Sequence, residues 1–383
     1  MITTFSKKSQ WLLPLVRGDS NKKIMIIDWH NDILLSDGNP QMNWDGCDWY
    51  KVPLFKDFIR ETEKYDFVLI VCRETWQGSY EETYERNYRK WKDIDKELRN
   101  RGNIYFLNFS ESFFYNTLTP PDRTLSLPWF YSNWYSGGIH HSPNFTHDID
   151  YIEKDYTFSM LLGKRSNNRK EVFDKLQNRK DIYKTYFGET KYKSLSDVHL
   201  EDEHIRDYLM SETDNLQTMQ DFYVPYEANL GDSCRFTGHR VGPLLSHTIP
   251  EKIYKNTHFD IISETNHLDE DKITGWTSEK KGKPLVTGRF FIWFGCLQTS
   301  SYLKKFGYEL DSYVLNSYDN EVNLNNRHIK VLELINELEN INYVKKVYND
   351  TREARLHNMQ VAKDGMQNSL TTIQDWIRDK LDE

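Results

Sequence analysis

The stretch 259–295, FDIISETNHLDEDKITGWTSEKKGKPLVTGRFFIWFG, restricts the folds open to this chain more than any other. A short apolar run at 259–262 passes into Glu264, Thr265 and Asn266. A loop of mixed charge follows, then Thr277-Ser278-Glu279-Lys280, and a second apolar run at 290–294 closes on Gly295. Strand, polar loop, charged turn, strand is the order in which an open α/β sheet presents ligand-binding residues at its strand ends. Gly282 and Pro284 weaken any helix after Lys280, so a short or kinked turn is expected there.

The rest of the chain follows the same rhythm. In the first half, apolar runs at 22–28, 67–72 and 104–109 read as strands. Between them, 53–64 reads as a helix with Pro53 near its start. A longer helix is expected from Ser79 to about Arg101, with Tyr80, Tyr84, Tyr88, Trp91 and Leu98 at helical spacing and Gly102 as its stop. Strand and helix in alternation imply a parallel, Rossmann-like sheet. The segment 117–150 changes character: Pro120, Pro121, Pro128, Gly137, Gly138 and Pro143 interrupt a crowd of aromatic residues, and it reads as a loop or linker. In the second half, a strand at 155–162 leads into Gly163-Lys164-Arg165-Ser166-Asn167-Asn168-Arg169 and a helix at 170–176. Residues 188–250 are charged and irregular. Helices are expected at 300–306, 327–340 and 352–381.

A chain of 383 residues implies about two domains. Its net charge of −8 disfavours broad contact with a phosphate backbone, and it has no run of about 18 apolar residues to span a membrane. Cys47, Cys72, Cys234 and Cys296 are far apart, which signals neither a zinc site nor a disulfide framework and points to a reducing, cytoplasmic setting. Asp28, His30 and Asp32 alternate at the end of a strand and invite a metal reading, but no partner motif follows downstream, so no metal is expected. Asp148-Ile149-Asp150 has the form of a metal-holding Asp-x-Asp, yet lacks the apolar strand that should precede it.

Two groups carry chemistry. The glycine, cations and small polar residues ahead of the 170–176 helix make a cradle for a diphosphate, with Arg165 or Arg169 supplying charge to an anion at a helix start. Glu279 and Lys280 pair a carboxylate, able to accept two hydrogen bonds from a vicinal diol, with a cation that offsets the charge of a departing nucleotide.

At these residues the sequence resembles the family 10 glycosyltransferases, the α1,3-fucosyltransferase type. The likeness lies in Ile262-Ser263-Glu264-Thr265-Asn266, Trp276-Thr277-Ser278-Glu279-Lys280, the run 290–295, and 158–162 followed by Arg169 and Phe173, and it spans roughly residues 155–320. Thr265 stands where the family often has Asn, Trp276 where it has Tyr, and Thr277-Ser278 replaces Val-Thr.

The resemblance implies two Rossmann-like domains facing a cleft, the GT-B arrangement. Residues 1–150 would form the acceptor side, 151–350 the nucleotide-sugar side, and 351–383 a C-terminal helix bracing the first domain. It also implies an inverting transfer of fucose or a related sugar from a nucleoside diphosphate, GDP before others, to a hydroxyl of a carbohydrate acceptor, with no further cofactor. Glu279 would hold the ribose, Lys280 and Arg169 the diphosphate, and Trp276 would line the donor pocket; Glu264, Asn266 and the cradle's Arg165 are taken as further donor-binding residues. The base that deprotonates the acceptor is sought at a strand mouth of the first domain: Glu74, or else Asp32 or His30. Two other readings stay open. One is transfer to a hydroxylated DNA base, which the acidic charge disfavours and the aromatic loop 129–135 favours. The other is a non-catalytic structural or binding protein that retains the fold.

Overall fold

Apolar runs become the strands of two all-parallel sheets. The structure, a computed structural model, describes residues 2–4, 21–28, 60, 62–72, 101–109, 121–128, 146–162, 167–186, 249, 251–264 and 278–383. The first sheet has the order β1-β2-β3-β4-β5: β1 (Ile2–Thr4), β2 (Ile24–Asp28), β3 (Phe67–Cys72), β4 (Ile104–Asn108) and β5 (Thr124–Ser126). All four pairings are parallel. Strands buried on both faces read as continuous apolar runs, and Val68, Leu69, Ile70 and Val71 are indeed fully buried.

The second sheet has the order β7-β6-β8-β9: β6 (Tyr156–Leu162), β7 (Ile182–Tyr186), β8 (Thr257–Ser263) and β9 (Phe291–Phe294). It too is parallel throughout, with Phe158 opposite Phe259 and Ser263 opposite Phe294. Around it lie α1 (Asn167–Leu176), α2 (Glu251–Asn256), α3 (Glu279–Thr287), α4 (Thr299–Lys304), α5 (Leu324–Glu337) and α6 (Ile341–Asp350). The last helix, α7 (Arg352–Asp382), runs for 31 residues.

The chain divides into two compact units, Met1–Ser136 with Gly365–Glu383, and Gly137–Asp364. The mixed α/β character and the parallel sheets agree with the sequence reading. In the first unit the end of α7 lays an apolar stripe, Ile373, Ile377 and Leu381, at a spacing of four residues. Trp376 meets Tyr105 edge-on at 6.2 Å, and Lys22 Nζ donates to the Leu381 carbonyl.

Three expectations need correction. The segment 117–150 contains a strand, β5, whose Phe106–Thr124 register extends the first sheet. β1 and β7 are further strands not anticipated. Finally, α3 forms a nine-residue helix despite Gly282 and Pro284. Pro284 forfeits one helical hydrogen bond and can cost about 3 kcal/mol in a helix interior. Two caps and burial offset that loss. Ser278 accepts the Lys280 N–H at the start, Gly288 turns left-handed at the end (φ 70°), and every residue from Lys281 to Thr287 is buried.

The interior of the second unit holds charge as well as apolar surface. Arg289, fully buried just before β9, places Nε 3.0 Å from Asp260 Oδ2 and donates to the carbonyls of Tyr254, Thr257 and Phe259 at 3.1, 2.8 and 2.8 Å. Arg355 on α7 likewise gathers the Ile149, Tyr348 and Asp148 carbonyls. These guanidiniums satisfy buried carbonyls that would otherwise lose their hydrogen bonds to water.

Candidate ligand site at the strand ends of the second sheet

From β6 the chain moves through α1 to β7 on one side, while β8 lies on the other side of β6. The order therefore reverses between β6 and β8. In open parallel sheets, ligands bind beyond the carboxyl ends of the strands at such a reversal. The residues that follow these two strands meet there. Arg169, in the first turn of α1, is 3 % exposed and donates from Nε to the carbonyl of Ser263, the last residue of β8, at 3.3 Å. The next residue is Glu264.

Glu264 is fully buried. Its Oε1 lies 2.8 Å from Lys281 Nζ, itself fully buried, and its Oε2 accepts the Ser278 hydroxyl at 2.6 Å. Its backbone N–H continues the ladder to the Phe294 carbonyl at 2.9 Å. Burial alone would push this carboxyl upward. The charges of Lys281 and Lys280, with hydrogen bonds from Lys281 and Ser278, overcome that and bring it down to about 2. Glu264 is thus an ionised post inside the protein, holding the start of α3 against the end of β8. Gly295 makes the close approach possible: a Cβ there would sit 3.1 Å from Glu264 Cγ.

Ser278 is shared by both sides of this junction. It caps α3 by accepting the Lys280 N–H at 3.2 Å, while its own proton goes to Glu264. Lys280 is half-buried, and its Nζ donates to Ser278 Oγ at 3.4 Å. Arg169, Glu264, Lys280 and Lys281 therefore converge on one strand-end position, in a chain whose net charge is −8.

Of the residues read from the sequence, Arg169, Glu264 and Lys280 come together here. Glu279 opens α3, and its side chain is outside the described residues. Arg165, Asn266 and Trp276 also lie outside them, as do Glu74, Asp32 and His30. Sequence reasoning missed Ser278, Lys281 and Gly295. Ser278 was legible as a capping residue ahead of a charged turn, whereas the phase that turns Lys281 inward required α3 to exist as a helix.

Asp148-Ile149-Asp150 serves structure. Asp148 pairs with Lys154 at 2.7 Å and Asp150 with Arg352 at 2.9 Å, so the two carboxylates engage different cations. Among the described residues no group of three or more His, Cys, Asp or Glu side chains gathers as a metal set. No helix among them is long and apolar enough to cross a membrane.

Beyond β9, Asp319 is fully buried and accepts from the Thr299 and Ser300 N–H groups at 3.0 and 2.8 Å and from Trp293 Nε1 at 3.1 Å. It fixes the turn between β9 and α4. On the opposite side of the unit, His147 sits between Arg289 and the Tyr348 hydroxyl, the latter at 2.9 Å. Burial first, then the Arg289 charge, holds its pKa well below the usual histidine value, so it is neutral in the folded protein.

No model of a protein family, no curated protein sequence and no solved structure matches this chain.

Proposed function

We propose that the strand-end site of the second sheet binds a nucleoside-diphosphate sugar, GDP-linked before others, and that the chain is an inverting glycosyltransferase of the fucosyltransferase type. The observation that carries the reading is the meeting of Arg169 and Glu264 at the reversal between β6 and β8, with Arg169 Nε 3.3 Å from the Ser263 carbonyl. A diphosphate needs positive charge held in place before it arrives, because a preorganised cation stabilises the leaving group without reorganising. Arg169 is anchored by β8 and Lys280 by the Ser278 cap, which provides such an arrangement. Glu264 acts through its neighbours: it fixes Lys281 and Ser278, and with them the first turn of α3.

In the reaction, an acceptor hydroxyl attacks the anomeric carbon, its proton passing to a protein base while the C–O bond to the nucleoside diphosphate breaks with inversion. The charge left on the departing diphosphate is met by Arg169 and Lys280. The proposal includes the GT-B arrangement, a carbohydrate acceptor, and a base from the first unit, with Glu74, Asp32 and His30 as its candidates. A melting-temperature screen against GDP-, UDP-, CMP- and TDP-sugars tests it. A ligand at about one hundred times its Kd adds about 2.7 kcal/mol of stability. One nucleotide class should therefore raise the melting temperature, and a flat response to all four would overturn the reading.

A further inference from the structure

Residues 147–154, which precede β6, belong to no helix or strand and are held in place from outside. The His147 N–H donates to the carbonyl of Thr287, the last residue of α3, at 2.8 Å. Lys154 Nζ donates to the Lys255 carbonyl near the end of α2, also at 2.8 Å, and pairs with Asp148. Arg355 on α7 collects the Asp148 and Ile149 carbonyls, and Arg352 pairs with Asp150. Tyr151 lies flat on the His258 ring of β8, with centroids 5.1 Å apart and planes at 13°, and Lys345 of α6 sits 5.1 Å from the Tyr151 centroid.

Two buried histidines fasten this segment, and their surroundings accept them only as neutral rings. Arg289 Nη1 donates to His147 Nδ1 at 3.2 Å, and His147 Nε2 donates to the Tyr348 hydroxyl at 2.9 Å. A guanidinium has only N–H groups to offer, so a proton on His147 Nδ1 would set donor against donor. His258 is 2 % exposed, and among the described residues its Nδ1 has no hydrogen-bond partner. A proton there would be buried with nothing to accept it. The charges facing the two rings are Arg289 ahead of β9, Lys154 in the segment itself and Arg355 on α7, with the carboxylate of Asp148. Asp148 is engaged by Lys154, and Arg289 by Asp260. From α6 the uncharged Tyr348 meets the His258 ring edge-on at 5.5 Å. Burial first, then Lys154 and Arg289, brings the His258 pKa down to about 4.

We propose that His147 and His258 make residues 147–154 an acid-released strap: protonation of either ring frees the segment from α3 and β8 while the second sheet stays folded. An open strap returns both rings to water, where a histidine titrates near about 6.5, so each proton taken up favours opening. Closure is at full strength above that pH and weakens below it, by up to about tenfold per pH unit for each histidine freed. The sheet is spared because its ladders join β6, β7, β8 and β9 to one another and not to the strap. Nothing in this switch depends on what the strand-end site binds.

Hydrogen–deuterium exchange of the full chain at about pH 7.5 and about pH 5 tests the switch, with protection in peptides spanning 146–155 and 290–294 taken relative to the unstructured rate at each pH. In the wild type, protection of the His147 amide should fall at least about thirtyfold, the share of one histidine, or vanish. It should lie below the protection of β9 at both pH values. His147→Gln keeps a donor and an acceptor that do not titrate, and His258→Phe keeps the face on which Tyr151 lies. The double variant should hold its strap at pH 5, with a drop under about threefold. His258→Phe alone, the milder change, should lose less protection than the wild type. Three results overturn the proposal. One is constant strap protection in the wild type. Another is a strap as protected as β9 at both pH values, which would open only when the whole unit unfolds. The third is a double variant unprotected at pH 5.

Discussion

The first sheet runs β1-β2-β3-β4-β5 without a reversal, whereas the second runs β7-β6-β8-β9 and reverses between β6 and β8. Both are parallel and both bury apolar strands, so composition of the strands does not distinguish them. Their polar residues do. In β2, β3 and β4 the buried described side chains are apolar apart from Asn108. The strands of the second sheet bury Ser159, Thr257, His258, Asp260 and Ser263, and Glu264 follows directly. Hydrophobic burial is non-directional and builds either sheet. A ligand site needs a place where neighbouring strands send their following loops apart, together with charges fixed by partners. Among the described strands, the second sheet has both.

The comparison can be broken most forcefully at the buried ion pair. Lys281→Met removes the buried cation that contacts Glu264 and leaves the carboxylate with only the Ser278 hydroxyl and the more distant Lys280 charge to offset its burial, which should destabilise the chain by about 3 kcal/mol in denaturant unfolding. The double variant Lys281→Met/Glu264→Leu should recover most of that loss, because a matched apolar pair removes the stranded charge. If the single variant unfolds like the wild type, the pair does not hold α3 to β8. In the first sheet the equivalent injury is a cavity. Leu69→Ala should cost about 2–5 kcal/mol, yet leave nucleotide affinity unchanged below the unfolding transition. Lost affinity in that folded variant would mean that the first sheet shapes the nucleotide site.

Acid should separate the interior groups in order. The folded pKa of His147 lies well below 6.5, so the unfolded chain binds a proton that the folded chain refuses. Stability from this residue is full above about pH 6.5 and declines as pH falls below it. Glu264, brought from 4.5 to about 2, contributes stability present above 4.5 and lost as pH falls from there toward 2, of order 3 kcal/mol in all. Unfolding midpoints measured from pH 7 to pH 2 should show a gradual decline and then a steeper one. The steeper part should vanish in the Lys281→Met/Glu264→Leu variant, while the decline below pH 6.5 persists.

Much of this architecture was legible because parallel strands write themselves as short apolar runs. The runs 67–72 and 104–109 nearly coincide with β3 and β4, the apolar spacing at 327–340 marks α5, and the helix read at 352–381 matches α7. What escaped reading has physical causes. β1 and β5 have three residues each, too few to show a pattern, and β7 carries Lys184 in a charged neighbourhood. Gly282 and Pro284 argued against α3, and only the Ser278 cap, the Gly288 stop and tertiary burial reverse that argument. The site suffered from the same misreading. With no helix expected after Lys280, nothing in the sequence could say that Lys281 turns inward to Glu264.

The central claim is that the reversal in the second sheet holds a nucleoside diphosphate against Arg169. Titration of GDP into the wild-type chain and Arg169→Ala, each shown to be folded by its cooperative melting, tests it most directly. The account predicts saturable binding to the wild type and a loss of at least about tenfold in the variant, the size of one charge-assisted contact. Equal affinity in the two proteins, or no binding to either, would contradict it.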